Sequence, residues 1–149
     1  KETIMREILF RGKVNNPDNI SWLQQSVGEW VEGNLEHDPD LESYKINGFN
    51  YYSSEQGLER EPFVYRVDPE TIGQYTGMKD KNGEKIFEGD IVSHFSNYSG
   101  HRVYAVVTYT DGQFLAMTND NAGLYLSDKL EVIGNIFDNP ELLKGEENE

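Results

Sequence analysis

Cysteine is absent from the 149 residues, which excludes disulfide staples, thiolate metal sites and thiol nucleophiles and leaves folding to packing alone. No apolar run approaches the roughly 18 residues needed to cross a bilayer, and the N-terminus lacks the basic-then-apolar pattern of a secretory signal. Positive charge is scarce: 13 Lys and Arg stand against 27 Asp and Glu, a formal net charge of −14. The acid is spread over both halves, and only Lys79, Lys81 and Lys85 cluster, with Asp80, Glu84 and Glu88 interleaved. Proteins that neutralise phosphates need grouped Lys and Arg, so direct binding to DNA, RNA or anionic lipid is disfavoured. These absences predict a cytoplasmic protein with no membrane association. Met5 is a natural translation start, so residues 1–4 are left out of the fold reading.

What is present is aromatic and turn-rich. Nine Tyr, seven Phe and two Trp sit in short alternating runs rather than at helical spacing, which predicts β structure. The clearest segment is Thr71–Val92, where Asp80-Lys81-Asn82-Gly83 separates two apolar stretches and reads as strand, hairpin turn, strand. Upstream, a strand around Ile8 and Phe10 is expected to end at Gly12 and the Asn15–Asp18 cluster, followed by a short helix over 19–26. A strand at Glu29–Glu32 is expected to stop at Gly33, with 36–42 as an acidic loop. Asn47-Gly48 predicts a hairpin turn within 43–52, Ser53–Pro62 a surface loop, and Phe63–Val67 a strand.

From Glu88 onward the strands become short and regularly spaced. Asp90–Val92, Val103–Tyr109, Phe114–Met117 and Leu130–Ile133 are separated by turns at 96–100, Asp111-Gly112 and 119–123, a pattern that predicts an SH3-like barrel. Asn139-Pro140-Glu141 then begins a short helix over 140–144. The reading is therefore mainly β: an N-terminal antiparallel sheet over 5–71 packed on a C-terminal region over 72–149, itself a small SH3-like barrel over 72–138 with the terminal helix. The two are expected to share a core.

Four stretches carry a family resemblance: Met5–Gly12, Gly28–Gly33, the glycine-punctuated block from Pro69 through Val92, and Glu131–Ile136 with Asn139–Leu142. Distributed over most of the chain, they resemble the YopX family, small proteins of phages and prophages. The resemblance implies a compact, mainly β protein of a mobile element acting in the bacterial cytoplasm. It implies no activity and no catalytic residues.

Chemistry-bearing motifs are weak. A calcium loop starting at Asp80 would need glycine at its sixth position, where Lys85 stands, and one starting at Asn119 meets Leu124 and Leu130 at the glycine and glutamate positions. No phosphate-cradling triplet and no nucleophile elbow occurs. His94 and His101 bracket a loop and Asp90 offers a carboxylate, but ordinary loop histidines explain them better than a metal site. Phe87, Phe95, Tyr98, Tyr104, Tyr109 and Phe114 form a notional base-stacking platform without the cationic track that stacking proteins add. We therefore expect no enzyme, cofactor or metal. The expected function is association with a protein partner, self-association included, through a rim made by the Lys79–Glu88 hairpin and the Ser96–Arg102 loop. Its residues are Lys79, Lys81, Lys85, Tyr98, His101 and Arg102. The alternatives are nucleic-acid binding by the barrel and acidic inhibition of a host DNA-handling protein.

Overall fold

A computed structural model describes residues 5–16 and 26–147, with side chains as far as Lys144. Among the described residues the chain is mainly β, with eleven strands, a 3-10 turn at Pro69–Thr71 and one helix. The strands form two antiparallel sheets. No helix is long and apolar enough to cross a membrane. The chain divides into two compact units, Ile8–Gln74 and Tyr75–Glu149 with Lys1–Glu7. The helix expected over 19–26 falls, apart from Ser26, outside the described residues.

In the first unit β1 (Phe10–Asn16), β2 (Trp30–Asp38), β3 (Ser43–Ser54) and β4 (Gly57–Val67) pair in a closed circuit. Phe10 faces Gly33 on β2, Asn34 of β2 faces Asn47 on β3, β3 pairs with β4, and Val67 of β4 returns to Val14 of β1. Every strand sends a side chain inward: Val14, Val31, Ile46, Phe63, Tyr65 and Val67 make the core. Burying each such side chain stabilises by about 1.5–3 kcal/mol, and closure leaves fewer unpaired edges.

Several expected breaks are instead strand interior. β1 continues through Gly12, β2 through Gly33 into the supposed acidic loop, and Asn47-Gly48 lies within β3. The reason is close approach. A Cβ on Gly33 would stand 2.2 Å from the Asn47 carbonyl oxygen, and one on Gly48 would stand 2.8 Å from the Phe63 ring. Gly33 sits where β2 hands its pairing from β1 to β3, and Phe63 covers Gly48 as cross-strand aromatics cover bare glycines. The polar run 53–62 is the end of β3, a tight turn at Glu55-Gln56 and the start of β4, with Gly57 at φ 110°.

β5 (Gly73–Lys79) starts in the first unit, where Gly73 faces Arg11. In the second unit it pairs with β6 (Lys85–Phe87), Tyr75 opposite Phe87. β7 (Asp90–Ser96), β8 (His101–Thr110), β9 (Gln113–Met117), β10 (Gly123–Tyr125) and β11 (Glu131–Asn135) form a sheet of order β10-β9-β8-β7-β11. Its core is Ile86, Val92, Ala105, Val107, Ala116 and Leu130. Pro140 precedes α1 (Glu141–Glu147), as expected from the cap sequence.

Asp80, only 4% exposed, ties the β5–β6 turn to β11. Its Oδ1 accepts the backbone N–H groups of Asn82 at 2.8 Å and Glu84 at 2.9 Å. Its Oδ2 accepts that of Val132 at 2.9 Å. The Lys81 N–H donates to the Leu130 carbonyl at 2.9 Å beside it. Burial works against the charge, but the N–H groups of Val132, Glu84 and Asn82, with Lys81 nearby, outweigh it and hold the Asp80 carboxyl below its ordinary value of 3.8.

Two stability measurements check this frame. Gly33→Ala is expected to destabilise by about 3 kcal/mol in urea unfolding, because the new carbon must displace backbone. Gly100→Ala, with nothing within 4 Å but φ at +74°, is expected to cost about 1 kcal/mol from left-handed strain alone. Equal losses would contradict the close-approach account. Asp80→Asn places an NH₂ or a neutral oxygen where a charged acceptor was, and is expected to lose on the order of 2 kcal/mol at neutral pH. Since the folded-state value is depressed, the Asp80 contribution is present above the unfolded value and lost as pH falls through the folded one. The wild type should therefore lose more stability than Asp80→Asn between about pH 5 and pH 3, and parallel curves would contradict the assignment.

Candidate functional site

The rim is built on hairpins of the second unit. Lys79 and Lys85 face each other across β5 and β6, and Asp80 fixes the turn between them. From that turn the Lys81 ammonium reaches Glu131 Oε2 at 3.4 Å, and the Asn82 amide donates to the same oxygen at 3.2 Å. The Asn82 amide first, then the Lys81 ammonium, hold the Glu131 carboxyl below its ordinary value. Glu131 faces Ser93 on β7, and Arg102 of β8 donates from Nη1 to Ser93 Oγ at 3.1 Å. Lys81 and Arg102 are thus brought together around one acid by a turn, a strand pairing and a hydroxyl. Alternation puts Ser93, Phe95, Arg102 and Tyr104 on one face of the β7–β8 ribbon, opposite the core residues Val92 and Ala105.

At the far end of that ribbon the chain turns through 97–100, with the Gly100 N–H donating to the Ser96 carbonyl at 2.8 Å. Tyr98 at the tip is fully exposed, at 102%, and Phe95 is 55% exposed. His101, opposite Ser96, is also exposed. The six rim residues therefore fall into two groups: Lys79, Lys81, Lys85 and Arg102 near the Asp80 turn and Glu131, and Tyr98 with His101 at the hairpin tip. Electrostatically the first group is tempered by Glu131, and the second carries the apolar surface.

The aromatic platform is not one surface. Phe87 is buried against Tyr75, with ring centroids 5.6 Å apart. Tyr109 and Phe114 meet edge to face at 5.0 Å at the end of β8 away from Phe95 and Tyr98. Asp90 is buried and accepts the Phe87 N–H at 2.7 Å, which gives it a turn-closing role. Among the described residues no three His, Cys, Asp or Glu side chains converge to hold a metal.

One feature of the first unit escaped the sequence reading. Beyond the closed circuit, β3 and β4 continue as a two-stranded ribbon whose outer face carries the exposed Phe49, Tyr51 and Leu58, with the Arg60 guanidinium 4.1 Å from the Phe49 ring centroid. The alternation of Phe49 and Tyr51 with Asn50 and Tyr52 was the available signal, masked by the Asn47-Gly48 dipeptide and the polar tip.

Comparison with known proteins places this arrangement. Among solved structures the chain is similar to the crystal structure of protein EF1440 from Enterococcus faecalis, with 29% sequence identity and a TM-score of 0.56 over 93% of this chain and 99% of that one. No curated protein matches the chain. The family model described as YopX protein matches residues 22–144, a span that includes the Asp80 turn and every rim residue. The chain belongs to the YopX family.

Proposed function

We propose that the protein is a non-enzymatic accessory factor of a phage or prophage, acting in the bacterial cytoplasm by association with another protein. The contact surface is the rim of an SH3-like second unit over 72–138. Supporting the SH3-like reading is the β7–β8–β9 meander with β11 returning to β7. The observation that carries the association reading is Tyr98, wholly exposed at the tip of the hairpin whose strands set Phe95 opposite Arg102. Aromatic and Arg side chains are the usual anchors of protein interfaces. The acid-rich remainder of the surface disfavours nucleic acid, whose binding requires several released counterions.

Affinity purification from bacterial host lysate tests this reading. The wild-type chain is expected to retain a partner that Tyr98→Ala with Arg102→Ala loses, at unchanged thermal midpoint. A partner set identical for both would overturn the surface. A gel shift at low salt separates the nucleic-acid alternative: binding that falls steeply as salt rises would favour it over protein association.

A further inference from the structure

The second unit carries a cleft of about 410 Å³ at the Tyr109 end of β8, lined by Arg6, Met78, Tyr109, Phe114, Tyr125 and Leu126 among others. Met78 and Leu126 pack against the core cluster, so the cleft opens where the core runs out. Tyr109 and Phe114 make its edge-to-face pair, and Tyr125 is 82% exposed. Three observations set it apart from an accidental hollow. Its described lining contains no Asp or Glu, although acids outnumber bases 27 to 13 in the chain. The stem of Arg6 lies over Gly77, where a Cβ would stand 3.3 Å from the Arg6 Cγ and Cδ. Tyr125 belongs to β10, the end strand of the sheet order, whose outer edge no described strand pairs.

We propose that this cleft is a docking site for a short extended peptide segment of a partner protein, one carrying a carboxylate next to apolar side chains. The carboxylate pairs with the Arg6 guanidinium, a geometry that suits the planar fork. An apolar side chain inserts against Tyr109, Phe114 and Tyr125, and the peptide backbone runs beside β10, adding main-chain hydrogen bonds to side-chain selectivity. Charge complementarity selects the occupant. One cation and no acid among the described lining, on a strongly acidic chain, matches a segment with one negative group, whereas a nucleic-acid strand requires a row of cations that the described lining lacks. The site lies at the opposite end of β8 from Arg102 and Tyr98, so it is independent of the rim.

The test pans a random 12-residue displayed peptide library on the full chain and measures fluorescein-labelled winners by anisotropy. Enriched peptides are expected to carry Asp or Glu beside aliphatic or proline residues. Arg6→Glu and Tyr109→Ala are expected each to weaken binding at least about tenfold, the loss typical of an interface anchor. Arg6→Lys should weaken it less, and Tyr98→Ala with Arg102→Ala should leave it unchanged, which separates this site from the rim. Should Tyr109→Ala unfold by circular dichroism, the exposed Tyr125→Ala takes its place and is expected to show the same loss. Absence of enrichment over bare support would overturn the proposal, as would affinity indifferent to Arg6 and the tyrosines. Binding of fluorescein-labelled oligothymidine with the same residue dependence would reassign the cleft to nucleic acid.

Discussion

The carboxylate of Asp80 is the constraint on which the second unit depends. A single side chain satisfies three backbone donors from two parts of the chain 52 residues apart at the longest reach, and so converts a local turn into a tertiary link. The three donors favour its ionised form against the cost of burial, and losing them would be costly, since an unsatisfied buried carboxylate is far costlier than a satisfied one is favourable. The turn it shapes carries Lys81 and Asn82 to Glu131, and β11 carries Glu131 to Ser93 and thence to Arg102. The cationic part of the proposed rim is therefore an extension of a structural clamp, with its geometry fixed by buried hydrogen bonds rather than by surface ion pairs, which are weak alone.

Much of the second unit was legible in the sequence because its signals are local. Asp80-Lys81-Asn82-Gly83 and Asp111-Gly112 are turns, Pro140 opens α1, and the strands between them fall near where alternation puts them, except the three-residue β10, which alternation does not signal. The first unit was misread at Gly12, Gly33 and Gly48 for a physical reason, close packing: a Cβ on Gly12 would stand 3.1 Å from the Val67 Cβ. Gly33 and Gly48 are needed because a carbonyl and a phenyl ring occupy the space of their missing side chains, and that requirement arises from residues distant in sequence. Asn47-Gly48 has the composition of a hairpin turn, but Phe49 and Tyr51 continue the alternation on the far side, and the long register with β4 prevails over local turn preference. The Lys81–Glu131–Arg102 grouping was half legible. Its two cations were named as candidates, but the acid between them, Glu131, was not, because placing it needs the β7–β11 register.

A strong net negative charge repels polyanions, so surface patches with little acid stand out against the rest. The aromatic cleft around Tyr109 is one such patch, whereas the β3–β4 ribbon, with Arg60 beside Phe49, also carries Glu59 next to Tyr51 and Leu58. In each case aromatic surface on a β framework is combined with a guanidinium. What the likeness to the Enterococcus faecalis structure extends beyond this chain is the fold.

The most direct test of the Asp80 clamp is an NMR pH titration of the side-chain carboxyl carbon of Asp80 with the amide protons of Asn82, Glu84 and Val132 followed in the same spectra. A hydrogen-bonded, ionised Asp80 predicts a carboxyl midpoint below 3.8, with all three amides shifting along the same curve. A midpoint at or above that value, or amides that move independently of the carboxyl, would contradict it.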